Sequence, residues 1–358
     1  MRYALILVGL VTMLATADGV FATGGSELYK INGYSNFTLT MFGMEGNNPA
    51  NGFSFYNCTQ WSPKVTDIFA GRLAFDTYYG YGSSTDCTLK LADAYLTFDV
   101  LPELTLMGGR YKLPFGYAYT RSGSSMSYLY RAAVASTPDF TNFGARDLGL
   151  CLTADFGPVN LDLSYSNGTA AKADTAWNKQ FTARIQAMPA EWMGLGAAVA
   201  IIGQPEIEVA DTSGTYTIDS WSATGIDVFA HADYPMSESA TLNFEGEYMM
   251  LGFAGPDVDD FENKDAASYY GSLGATFGVD MGIITAIQPA LRYESFTPSY
   301  QLAEGADEFE NGLTYLDFGL NFHTGPMNTI QVGARNYGFE NEDIEGYTDM
   351  YLNWRMLF

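Results

Sequence analysis

YTDMYLNWRMLF, Tyr347 to Phe358, alternates without a break. Met350, Leu352, Trp354, Met356 and Phe358 fall on one face, and Asp349, Tyr351, Asn353 and Arg355 on the other. Period-two alternation over about ten residues is the pattern of a strand that crosses an outer membrane, one row of side chains in lipid and the other in the lumen. The same pattern recurs upstream. Leu316, Phe318, Leu320 and Phe322 alternate with Tyr315, Asp317, Gly319 and Asn321, and Leu242, Phe244, Tyr248 and Met250 oppose Asn243, Glu245 and Glu247. A soluble sandwich also alternates, but rarely over so many segments of this length.

The rest of the composition agrees. Of 358 residues 47% are hydrophobic and 15% aromatic, with 25 Tyr, 24 Phe and 38 Gly, a mixture suited to strands. Beyond the N-terminus no run of about 18 apolar residues could form a membrane helix. Arg2, the apolar run Ala4–Ala15 and the small-residue site Val20-Phe21-Ala22 read as a signal peptide over residues 1–22, with Ala15-Thr16-Ala17 as the alternative cleavage site. Residues 23–358 then form a single outer-membrane barrel domain. A net charge of -24 excludes nucleic acid as a partner, which needs a basic face. Cys58, Cys87 and Cys151 have no zinc-like spacing, so neither metal nor cofactor is expected. Export leaves two states open, a Cys58–Cys87 disulfide or three free thiols.

Outer-membrane barrels alternate short periplasmic turns with long extracellular loops. Short turns stand at Leu101-Pro102-Glu103, Gly157-Pro158, Pro189–Trp192, Pro235–Glu238, Asp280–Gly282 and Gly325–Asn328, and longer polar connections lie between them. Strands are read at Ile31–Phe42, Asp67–Tyr79 and Thr88–Asp99. For Thr88–Asp99 to run inward, a further strand must descend between Phe42 and Asp67, and the weakly alternating Gly52–Trp61 is the candidate. The fold expected is therefore an all-β, transmembrane antiparallel barrel of about 16 strands, with 14 and 18 as the flanking even counts. Pro114–Ala145 becomes the third extracellular loop.

The segment DAYLTFDVLPELTLMGGRYKLPFGY (Asp93–Tyr117) contains Gly109-x-x-Lys112-x-Pro114-Phe115 after a Leu-Pro turn. YLYRAAV (Tyr128–Val134), ARDLGL (Ala145–Leu150) and LSYSNG (Leu163–Gly168) follow in order. Over Asp93–Gly168 the chain resembles the phosphate-selective porin O/P family. The resemblance implies a homotrimeric 16-stranded channel whose third loop folds into the lumen and carries part of the constriction. It transfers by position Lys112 and Arg131, and more weakly Arg146. Arg110 stands where that family has an uncharged polar residue.

Arg110, Lys112, Arg121, Arg131, Asp139 and Arg146 are thus the candidate constriction residues, and Arg72, Arg184, Arg292, Arg335 and Arg355 the candidate lumen wall. A cation at the waist attracts anions; the plainer alternative is that Lys112 and Arg131 pair with Asp139 or Asp147 and pin the loop. Strand phase also turns more acids than bases inward, Asp227, Glu245, Glu247, Glu294 and Asp317 among them. The implied phosphate specificity is therefore not carried over, and the charge count leans weakly towards cations.

The expected function is a water-filled channel for small hydrophilic solutes or ions in a Gram-negative outer membrane. An anion- or phosphate-selective porin and a closed structural or surface-binding barrel are the alternatives. Catalysis is not expected, because His231 and His323 sit in ordinary strands. Three acidic loops, around Asp257–Asp265, Glu304–Glu310 and Glu340–Glu345, read as solvated rather than metal-binding. Lipid and lipopolysaccharide are expected around the barrel, and a terminal aromatic such as Phe358 resembles the signal read by the barrel-assembly machinery.

Overall fold

The computed structural model describes residues 29–42, 52–79, 87–136, 140, 143–168, 179–204, 207–211, 214–218, 221–253, 265–298, 312–340 and 345–358. The expected signal peptide, Asp139 and most of the three acidic loops lie outside the described residues.

The first half of the chain contributes β1 (Tyr29–Phe42), β2 (Gly52–Pro63), β3 (Phe69–Tyr79), β4 (Thr88–Leu101), β5 (Leu104–Lys112), β6 (Arg146–Asp155), β7 (Val159–Ser166), β8 (Gln180–Ala190) and β9 (Met193–Gln204). A two-stranded hairpin, β10 (Ile207–Asp211) and β11 (Gly214–Ile218), stands apart from the main sheet. There follow β12 (Trp221–Ser237), β13 (Ala240–Phe253), β14 (Ala266–Met281), β15 (Ile284–Thr297), β16 (Leu313–His323), β17 (Asn328–Phe339) and β18 (Tyr347–Leu357). All but the hairpin close into one antiparallel barrel of 16 strands, each paired with its neighbours in sequence order and β18 with β1.

Alternation sets the faces. Met350, Leu352 and Trp354 are exposed on the outer surface, whereas Asp349, Tyr351, Asn353 and Arg355 are buried. A closed sheet satisfies its backbone groups within itself, and its apolar outer row is solvated by hydrocarbon. The barrel therefore belongs in the outer membrane. The β1–β18 seam runs from Tyr34 opposite Leu357 to Phe42 opposite Asp349, and Gly33 and Phe358 extend it with backbone hydrogen bonds of 2.9 and 3.1 Å. The Phe358 ring covers Gly33, where a Cβ would come within 2.7 Å of it.

The strand inferred between Phe42 and Asp67 is β2. Two local readings differ. Pro189 and Pro235 lie inside β8 and β12, next to register shifts that absorb their missing N–H groups. The longer polar connection that follows β9 holds the β10–β11 hairpin, whose strands pair only with each other.

All three cysteines are free, with Cys58 and Cys151 buried and Cys87 exposed. The disulfide alternative is not realised, since Cys58 faces the lumen midway down β2 while Cys87 stands just before β4. A bulky maleimide should therefore modify Cys87 alone in folded protein and all three thiols after unfolding; a mass shift showing no accessible thiol in the folded state would contradict this placement.

Candidate functional site

The 113–145 connection leaves the wall after β5 and folds into the barrel. Its first turn is a short helix, α1 (Tyr117–Thr120). Phe115, Phe140 and Phe143 are fully buried and pack on Ala198, Ala200, Ile202, Ala223, Met249 and Leu251 of the wall. Small wall residues make this seat. A Cβ at Gly225 would lie 2.6 Å from the Phe115 ring and 2.8 Å from that of Phe143. Each buried phenylalanine contributes roughly 1.5–3 kcal/mol relative to exposure.

Polar groups of the wall hold the rest of the loop. Asp227 accepts from the backbone N–H of Gly116 at 3.2 Å, and Glu247 accepts from Tyr117 and Ala118 at 2.7 and 2.9 Å. The carboxylate thus sits on the exposed N–H groups of α1, where a helix start favours negative charge. Glu294 accepts from Ala133 N–H. Donors take the carbonyls: Arg292 reaches Tyr130 O at 3.0 Å, Arg335 reaches Arg131 O at 3.2 Å, and Asn321 reaches Ser127 O at 3.0 Å. Arg355 reaches Ser124 O at 3.2 Å and Met126 O at 2.8 Å. Asp317, 0% exposed, neutralises both Arg292 and Arg335 at 2.7 Å.

The loop thereby lies against the β8–β18 side and leaves a cavity of about 690 Å³ towards β1–β5. A second cavity of about 330 Å³ lies nearer the short turns, and Met126 and Arg355 line both. Among the described residues two acids line the larger cavity, Asp76 and Asp93, and both are engaged. Tyr56 donates to Asp76 at 2.8 Å and Tyr78 at 3.4 Å. Arg146 and Arg72 flank Asp93 at 2.6 and 3.2 Å.

Lys112, Arg131 and Arg355 line the same space but make no ion pair among the described residues. Lys112 donates to the carbonyls of Tyr119 at 2.8 Å and Arg121 at 3.4 Å. Arg131 donates to Ala118 O and lies over the Tyr119 ring, 5.8 Å from its centroid. Burial pushes its pKa down from the usual guanidinium value. Arg355 also donates to Asn36 at 3.2 Å.

The expected site residues therefore divide. Lys112, Arg131, Arg146, Arg72, Arg335 and Arg355 meet around one cavity. Arg121 pairs with Glu245 and lines the lower cavity. Arg184 pairs with Asp162 at 2.7 Å and Arg292 is committed to Asp317. Arg110 is a correction. It pairs in register with Ala94 and Leu148, and Leu148 is 54% exposed on the outer surface, so Arg110 lies on the outer side and donates to Ala92 O at 3.0 Å. Tyr111 holds the inward position, donating to or accepting from Ser164 at 2.8 Å. Lys112 reaches the lumen because the chain leaves the wall there. Missed altogether are the lumen tyrosines, Tyr34, Tyr56 and Tyr78 foremost; their inward phase on three successive strands is the signal that could have found them. His231 stacks on Tyr117 with ring centroids 5.2 Å apart, and His323 faces Thr329 at 3.3 Å.

No protein-family model matches the sequence, and no curated protein matches it. Among solved structures, the chain is similar to OprB of Pseudomonas putida (TM-score 0.64, 9% identity, 92% of this chain and 94% of that one). It is also similar to the outer membrane channel DcaP of Acinetobacter baumannii (TM-score 0.58, 13% identity, 92% and 97%). A third similar structure is OmpT of Vibrio cholerae in its trimer form (TM-score 0.53, 12% identity, 92% and 99%). At such identities the likeness is one of fold: the 16-strand barrel of outer-membrane porins.

Asp317→Asn strips the counter-charge from two buried guanidinium groups that hold the loop, a loss worth about 3–5 kcal/mol. The variant barrel should still assemble, but trypsin should cut after Arg131, a bond that the burial of Ala132 should protect in the native protein. Equal resistance in both proteins would show that the loop is held without this anchor.

Proposed function

We propose that the chain is a porin-like diffusion channel of the outer membrane whose constriction favours small anions. One observation carries the reading: around the cavity between loop and wall Arg72 and Arg146 are paired with Asp93 and Asp76 accepts from two phenols, whereas Lys112, Arg131 and Arg355 make no ion pair among the described residues. Selectivity follows the field where the path is narrow. The acid excess that leans the sequence towards cations is largely spent inside: Asp227, Glu247 and Glu294 accept from loop N–H groups, and Asp162 and Asp317 neutralise arginines. Negative charge at the mouth is screened beyond about 8–10 Å at physiological salt.

A homotrimer is part of the proposal, in keeping with the trimer form of the similar OmpT structure. Lipid and lipopolysaccharide cover the remaining outer surface, and the barrel-assembly machinery is the proposed reader of the Phe358 strand.

In planar bilayers with a KCl gradient the reversal potential should report chloride preference, growing as ionic strength screens the acidic mouth. Arg131→Gln with Lys112→Gln should lower the anion-to-cation permeability ratio several-fold. Cation preference at every salt concentration would overturn the reading.

A further inference from the structure

Three tyrosines stand side by side on the wall opposite the inserted loop, one from each of β1, β2 and β3. Tyr34 and Tyr56 have ring centroids 5.4 Å apart, and Tyr56 and Tyr78 5.0 Å apart. All three line the larger cavity. The hydroxyls of Tyr56 and Tyr78 are already used, both donating to Asp76, which is 5% exposed beneath them. That of Tyr34 lies beside Gly123 of the loop. What Tyr56 and Tyr78 offer a solute is therefore ring surface.

The cations begin where the ladder ends. A Cβ on Gly123 would touch the Tyr34 hydroxyl and stand 3.5 Å from Nη2 of Arg131, so phenol and guanidinium meet at one loop residue. Lys112 and Arg131 continue the cationic side next to the Tyr119 ring, at 5.0 and 5.8 Å from its centroid. A bare inorganic anion has use for the cations but none for the rings. A planar ring bearing a carboxylate uses both, stacking on tyrosine while its charge meets Arg131. The volume of about 690 Å³ falls within the range of small-molecule sites, about 300–1,000 Å³.

We infer that the preferred cargo is a small organic anion with a flat ring, of the aromatic carboxylate class. This rests on the anion-favouring reading above and sharpens it.

The test uses the full chain in planar bilayers and follows block of the chloride current by sodium benzoate, sodium acetate and sodium phosphate. Benzoate should block at a concentration roughly three- to tenfold below acetate, the margin that aromatic contact supplies. Tyr56→Leu with Tyr78→Leu should abolish that margin, and Tyr56→Phe with Tyr78→Phe should keep it. Both pairs lose the hydroxyls on Asp76, so only the rings distinguish them. If chloride preference holds but benzoate and acetate block equally, or phosphate blocks best, the ring inference falls and the anion channel stands. A cation-selective channel, or none, overturns both. Should the leucine pair fail to assemble, the native protein's benzoate-to-acetate ratio decides the matter alone.

Discussion

A peptide folded into the inside of a barrel has no strand beside it, yet each of its buried N–H and C=O groups needs a partner. That requirement organises the interior of this protein. The wall meets it with charged and amide side chains sorted by sign. Carboxylates of Asp227, Glu247 and Glu294 stand at loop N–H groups. Arg292, Asn321, Arg335 and Arg355 stand at loop carbonyls. Much of the lumen charge is thus structural before it is electrostatic, and the field at the passage is made by what remains.

This explains how far the sequence could be read. Strand phase was legible on most strands because the lipid face is largely apolar, Arg110 on β5 being the exception, and even the poorly alternating β2 followed from parity. Side-chain roles were less legible. Period two predicts that Arg110 and Lys112 share a face, but the rule fails at the last residue of β5, where the chain departs from the wall and Lys112 turns in. Counting inward acids likewise assumes that each contributes to the channel field. Asp317 lies between two arginines and Glu247 on a helix start, so neither does so freely, and only the folded loop reveals this.

The same physics accounts for likeness to porin structures at 9–13% identity. A barrel wall asks for alternation and a handful of glycines, demands that very different sequences meet. The residues on the loop and opposite it are under no such shared demand, so a common fold leaves the identity of the solute to local chemistry.

The pairing of β1 with β18 has a consequence for biogenesis. Thr38 and Asn353, bonded across the seam, are 315 residues apart in sequence. Contacts so distant form late in folding because loop-closure entropy must be met first. Until they form, β1 and β18 are unpaired edges, open to β-addition by any passing strand. The nascent chain thus depends on being shielded in transit, and the last strand to arrive is the one that removes the hazard.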